Sequence, residues 1–114
     1  MKLAIISFAC LLTACQSGPP VSPLIAAARQ GDIQTISALV KSGADVNQRG
    51  GVNNWTPLMH AVHKNQPAAV GALIDAGADV NLTAGARGRD TALRLAEIDG
   101  DKEIAALLRN HGAK

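Results

Sequence analysis

The chain has 114 residues and a formal net charge of +2. That length favours one domain, and so balanced a charge gives no basis for nucleic-acid or polyanion binding. With 47% apolar residues but only 2% aromatic, the core must come from Ala, Leu, Ile and Val, which suits close-packed helices better than an aromatic-rich β-sandwich.

The first element is an apolar run from Leu3 to Ala14, preceded by Lys2 and closed by small residues. This is the shape of a secretory signal. The run covers 12 residues, against roughly 20 needed to span a bilayer, so an uncleaved transmembrane anchor is a poor reading. Leu12-Thr13-Ala14-Cys15 resembles a bacterial lipobox. The resemblance implies that residues 1–14 are a lipoprotein signal peptide, and that Cys15 becomes the first residue, carrying a diacylglycerol and an N-acyl chain. A plain secretory signal cut elsewhere is the competing reading. With Cys10 lost in the leader and Cys15 thioether-linked, the mature chain has no disulfide, and packing alone must hold the domain. No other cofactor is expected. Gln16, which follows the lipidated position, is not the Asp that retains many lipoproteins at the inner membrane. The expected location is therefore the bacterial cell envelope, lipid-anchored in the outer membrane and facing the periplasm. Residues 15–21, with Gly18-Pro19-Pro20, form a short lipidated tether that keeps the domain near the bilayer.

From Ser22 onward the chain repeats itself. Ser42-Gly43-Ala44-Asp45-Val46-Asn47 returns as Ala76-Gly77-Ala78-Asp79-Val80-Asn81, 34 residues later, and His111-Gly112-Ala113 opens the phrase again after 35 more. Leu24, Leu58 and Leu93 share these offsets, as do Ala27, Ala61 and Ala96, and Leu39, Leu73 and Leu108. A period in the low to middle thirties predicts stacked helical units. Trp55-Thr56-Pro57-Leu58-Met59-His60-Ala61 and Gly77-Ala78-Asp79-Val80-Asn81 resemble the opening and the close of an ankyrin repeat, over about Ser22 to Lys114. The resemblance implies an all-α solenoid of about three helix-turn-helix repeats joined by β-turn fingers. The units are read as residues 22–54, 55–89 and 90–114 of a domain spanning 22–114.

Each unit can be read from its own residues. Pro57 suits a first helical position, where its missing N–H costs nothing, and Thr56 is its N-cap. Leu58, Ala61 and Val62 share one face. Asn65 ends this helix with a left-handed residue. Pro67 opens the second helix, with Val70, Leu73 and Ile74 buried, and Gly77 closes it. The same plan places helices near 23–29 and 32–41, and near 91–98 and 101–110, with Asp32 and Asp101 as N-caps. Fingers fall at Gln48–Asn54 and Leu82–Asp90, rich in Gly, Asn and Arg, which suggests mobile tips. The first unit, opening Ser22-Pro23-Leu24, resembles an N-terminal cap. The middle unit has Met59 in place of the family's usual His. The third reads Thr91-Ala92-Leu93-Arg94, and Arg94 and Glu97 are spaced to pair along the helix. Three units are about the minimum for a stable array, so a bound partner is expected to add to its stability.

No active site assembles in this sequence, and the protein is expected not to be an enzyme. His60 and His63 make half a zinc site, with no further ligand placed beside them; they read better as surface histidines of a recognition helix. Gly85-Ala86-Arg87-Gly88-Arg89 lacks the Gly-Lys-Ser/Thr ending of a phosphate loop and reads as a solvated finger. Its two arginines would add only about 2 kcal/mol at an anionic leaflet, secondary to a lipid anchor.

Function is therefore expected on a surface. The resemblance implies binding by finger tips and by the concave face of the first helices. Its variable positions map onto Arg29 and Gln30, onto Trp55, His63 and Lys64, and onto Ile98 and Asp99. Asn53, Asn54 and His60 lie beside them. Trp55 is the best anchor candidate, since Trp is enriched at binding hot spots; the alternative is that it covers the Asn53-Asn54 turn. The leading expectation is a monomeric, membrane-tethered envelope adaptor that binds a protein partner of unknown identity and no nucleic acid. Two other readings stand beside it, a periplasmic immunity or inhibitor protein neutralising a toxin or hydrolase, and a structural envelope lipoprotein.

Overall fold

The computed structural model describes residues 22–114. The signal peptide, the lipidated Cys15 and the tether expected over 1–21 lie outside the described residues. Six helices follow in three pairs: α1 (Pro23–Gln30) with α2 (Ile33–Lys41), α3 (Pro57–His63) with α4 (Pro67–Asp75), and α5 (Ala92–Asp99) with α6 (Lys102–Asn110). Every predicted helix is present, with ends shifted by one or two residues. A short 3-10 turn, Val52–Asn54, forms the tip of the first finger.

Local chemistry sets the helix starts. The hydroxyls of Ser22, Thr56 and Thr91 accept from the backbone N–H groups of Ile25, Met59 and Arg94 at 3.1, 3.3 and 3.1 Å. Each supplies an acceptor to a donor that the helix leaves unpaired. Asp32 caps α2 through the Thr35 amide at 3.2 Å and takes the Thr35 hydroxyl at 2.6 Å. These two bonds, the hydroxyl's first, hold its carboxyl below the usual aspartate range. Asp101 occupies the same position before α6, but its side chain makes no capping bond. The turn between paired helices needs a left-handed residue, supplied by Gly31 (φ 72), Asn65 (φ 55) and Gly100 (φ 77). Asn is the one side-chain-bearing residue of the three, as its tolerance of this region allows.

The paired helices stack into two layers. In the inner layer α1 packs on α3 and α3 on α5; in the outer layer α2 packs on α4 and α4 on α6. Ala27, Ala61 and Ala96 are all buried in the inner layer, and their small side chains let the helices approach closely. Leu58, Val62, Val70 and Leu73 fill the middle of the core, with Ile104 and Leu108 beyond them. Leu39, at the first-repeat position equivalent to Leu73, is only partly buried. No repeat precedes it among the described residues to cover its other side.

The fingers are closed at their bases. Gly50 bridges to Trp55, and Ala84 to Asp90, in antiparallel fashion; Ala84 and Asp90 exchange both backbone bonds at 2.9 Å. The fingers also bond to one another. The Arg49 guanidinium donates to the Thr83 carbonyl at 2.8 Å, and the Gly85 amide donates to the Asn53 carbonyl at 3.1 Å. The fingers whose composition suggested mobile tips are thus tied at their bases and, through Asn53, at the first tip as well. Glu97 pairs with Arg109 of α6 at 2.6 Å rather than with Arg94 on its own helix. The hairpin brings α6 within reach of Glu97, while Arg94 sits beside the second finger with Arg87 and Arg89.

Candidate interaction surface

The face formed by the fingers and inner helices centres on Trp55. Its ring lies edge-on to His60, with centroids 5.7 Å apart, and to His63, at 5.2 Å. Its indole N–H donates to Asp90 Oδ2 at 2.9 Å. Trp55 ends the first finger and Asp90 ends the second, so this bond fastens one finger to the next. Only 8% of Trp55 is exposed, and it belongs to the main apolar cluster. Trp55, the best anchor candidate in the sequence, is thus a packed core residue and not an open contact. An aromatic of this size at a finger base has the inner helix beneath it and the next repeat beside it, and both cover it.

His60 is also corrected from a surface histidine to a buried one, 5% exposed. Its Nε2 lies 2.8 Å from the Gly50 carbonyl. A carbonyl only accepts, so Nε2 carries the proton and donates. That bond holds the finger base against α3, one position later in the motif than the family's usual His. Burial pushes the His60 pKa down, the bond to Gly50 partly opposes this, and the nearby charges of Arg29, His63 and Lys64 push it lower still. The native state therefore binds fewer protons than the unfolded chain, whose histidine titrates near 6.5. This contribution to stability is complete above about pH 6.5 and is lost as pH falls through the folded value. The urea midpoint is expected to drop between pH 7 and 5, and to drop less in His60→Gln. The comparison of slopes between the two proteins, not either slope alone, is the measurement. An equal slope in the variant would assign the effect elsewhere.

His63, by contrast, is open, with 48% of its side chain exposed, and its Nδ1 lies 3.5 Å from Asp99 Oδ2 on the next inner helix. Lys64, Gln30, Asn53 and Asn54 are exposed and Arg29 is half-buried. Ile98 is 67% exposed. Apart from Asn53 and Asn54 on the first finger, the predicted residues divide into two sets. Arg29, Gln30, His63, Lys64, Ile98 and Asp99 form a two-column array at the C-terminal ends of successive inner helices, while Trp55 and His60 form the support beneath it. Among the described residues no three His, Cys, Asp or Glu side chains gather as metal ligands, and no helix is long and apolar enough to cross a membrane.

A family model described as ankyrin repeats (3 copies) matches residues 7–84 and 24–114. The chain belongs to the ankyrin repeat family. The crystal structure of the human ASB11 ankyrin repeat domain is similar to it, with a TM-score of 0.71 and 32% identity. The match covers 82% of this chain and 41% of that one, so this chain accounts for well under half of the solved domain's length. A comparison with curated proteins gives no match. Ankyrin repeats serve protein–protein interaction, and the two-layer solenoid described above is such a scaffold. Within this ankyrin domain, Asp90, bonded to Trp55, is the residue of this face that sequence reasoning missed. Asp90 was legible in principle. It precedes the capping Thr91 as Trp55 precedes Thr56, and stacking sets equivalent positions side by side.

Proposed function

We propose that this chain is a membrane-anchored ankyrin adaptor of a bacterial cell envelope, acting by binding a protein partner and not by catalysis. The observation that carries the reading is the array of Arg29 and Gln30, His63 and Lys64, and Ile98 and Asp99. It repeats once per unit along the inner layer and includes an Ile left two-thirds exposed. A large apolar side chain among charged neighbours on a rigid face suits a partner surface with an apolar centre and polar rim. The test is affinity capture from envelope extracts with the purified chain, read by mass spectrometry. Recovery of no protein above an unrelated ankyrin control would refute the adaptor reading.

The anchor rests on Leu12-Thr13-Ala14-Cys15. Cys15→Ser is expected to abolish incorporation of radiolabelled fatty acid and to stop processing by the lipoprotein signal peptidase, because only a thiol forms the thioether. Unchanged labelling of the variant would exclude lipidation at this residue. Density-gradient fractionation of the processed protein then separates outer from inner membrane, with the outer membrane expected from Gln16.

A further inference from the structure

A cleft of about 290 Å³ opens between the two fingers and α5, lined by Asn53, Ala86, Arg87, Arg89, Asp90 and Arg94. Three arginines line it, and its one acid is engaged, since Asp90 Oδ2 accepts the Trp55 indole N–H. Among the described residues the ion pairs are His63 with Asp99 and Arg109 with Glu97, so none of the three arginines has a carboxylate partner there. The frame around them is fixed. Gly85 adopts φ +87, and a Cβ at that position would overlap the Asp90 carboxylate. The Gly85 amide bonds to Asn53 and the Gly88 amide to Gly85 O, both at 3.1 Å. Arg87 and Arg89 are therefore held on a tightly folded loop against the first finger.

We propose that this cleft receives an acidic segment of the protein partner, its Asp or Glu carboxylates paired with Arg87, Arg89 and Arg94. The inference rests on the adaptor reading and names the chemistry of the partner. Guanidinium groups present planar donor forks matched to carboxylates, and a pre-organised loop reduces the ordering cost of binding. A recess formed by three elements fits a side chain or two inserted from a peptide. Lipid-surface recognition relies instead on runs of four or more basic residues. Single-stranded nucleic acid needs exposed aromatic platforms, whereas Trp55, the chain's one Trp, is buried.

Trp55 also provides the readout, because its indole is bonded to a residue of the cleft. The full chain is titrated at about 25 mM salt, where charge pairing is weakly screened. The probes are an acetylated hexaglutamate peptide, inorganic phosphate, and phosphatidylcholine vesicles with and without phosphatidylglycerol. The peptide is expected to change Trp55 emission saturably and hexalysine to leave it unchanged. Combined Arg87→Gln, Arg89→Gln and Arg94→Gln substitution is expected to weaken the peptide by about tenfold or more; Arg109→Gln, which removes an arginine already paired, should leave it at wild-type strength. An equal titration in the triple variant overturns the inference, as does a response to phosphate or to phosphatidylglycerol vesicles with none to the peptide. These results leave the adaptor reading standing, which fails only if the wild-type chain captures no envelope protein.

Discussion

Replacing Trp55 with Ala is expected to lower the unfolding free energy by about 3–5 kcal/mol, the range for truncating a buried large aromatic. Two losses combine. The ring leaves a cavity between the first finger, His60 and His63, and Asp90 loses the indole donor that ties the second finger to the first. Trp55→Phe separates them, since it keeps most of the packing and removes the donor; about 1–3 kcal/mol is expected for a hydrogen bond to a charged group. Urea midpoints at constant pH order the three proteins as wild type, Trp55→Phe, Trp55→Ala. A Trp55→Ala midpoint equal to that of the wild type would mean that Trp55 is not packed between repeats. Weaker partner capture by this variant would accordingly report disrupted fingers as well as any lost contact. The array that includes His63 and Ile98 is the place to test recognition without disturbing the fold.

The fate of Trp55 shows which part of a solenoid is legible in one sequence. Helices, caps and left-handed turns follow from neighbouring residues, which is why Thr56-Pro57, Asn65 and Gly77 place their elements correctly. The inter-repeat bonds obey a different rule. Arg49 reaches Thr83 across 34 positions, Trp55 reaches Asp90 across 35, and Asn47 accepts from the Asp79 amide across 32. Each separation is close to one repeat, so residues at equivalent positions meet although each looks exposed within its own unit. Glu97 failed for a related reason. Spacing along α5 allows Arg94 as its partner, but the α5–α6 hairpin presents Arg109, and Arg94 is left to the finger cleft. Exposure of a finger-base residue must therefore be judged from the next repeat, not from its own turn.

Leu73→Ala is expected to destabilise the domain by about 2–5 kcal/mol, while Lys64→Ala stays within roughly 0.5 kcal/mol. Leu73 is fully buried in α4, and α4 packs against α3 within its repeat and against α2 and α6 on either side. A cavity there weakens two repeat interfaces at once, and in a stack whose units contact only their neighbours such interface terms are a main source of cooperativity. A domain of this size has only about 5–15 kcal/mol of stability in total, so the loss is a large fraction. The equivalent leucines give an internal control. Leu108 is fully buried but belongs to the last repeat, and Leu39 is only partly buried in the first, so Leu39→Ala is expected to be the mildest of the three. Urea midpoints fix the order. Equal midpoints for Leu73→Ala and Lys64→Ala would refute the stacking register, and a Leu39→Ala loss as large as that of Leu73→Ala would mean that Leu39 is packed as tightly as Leu73.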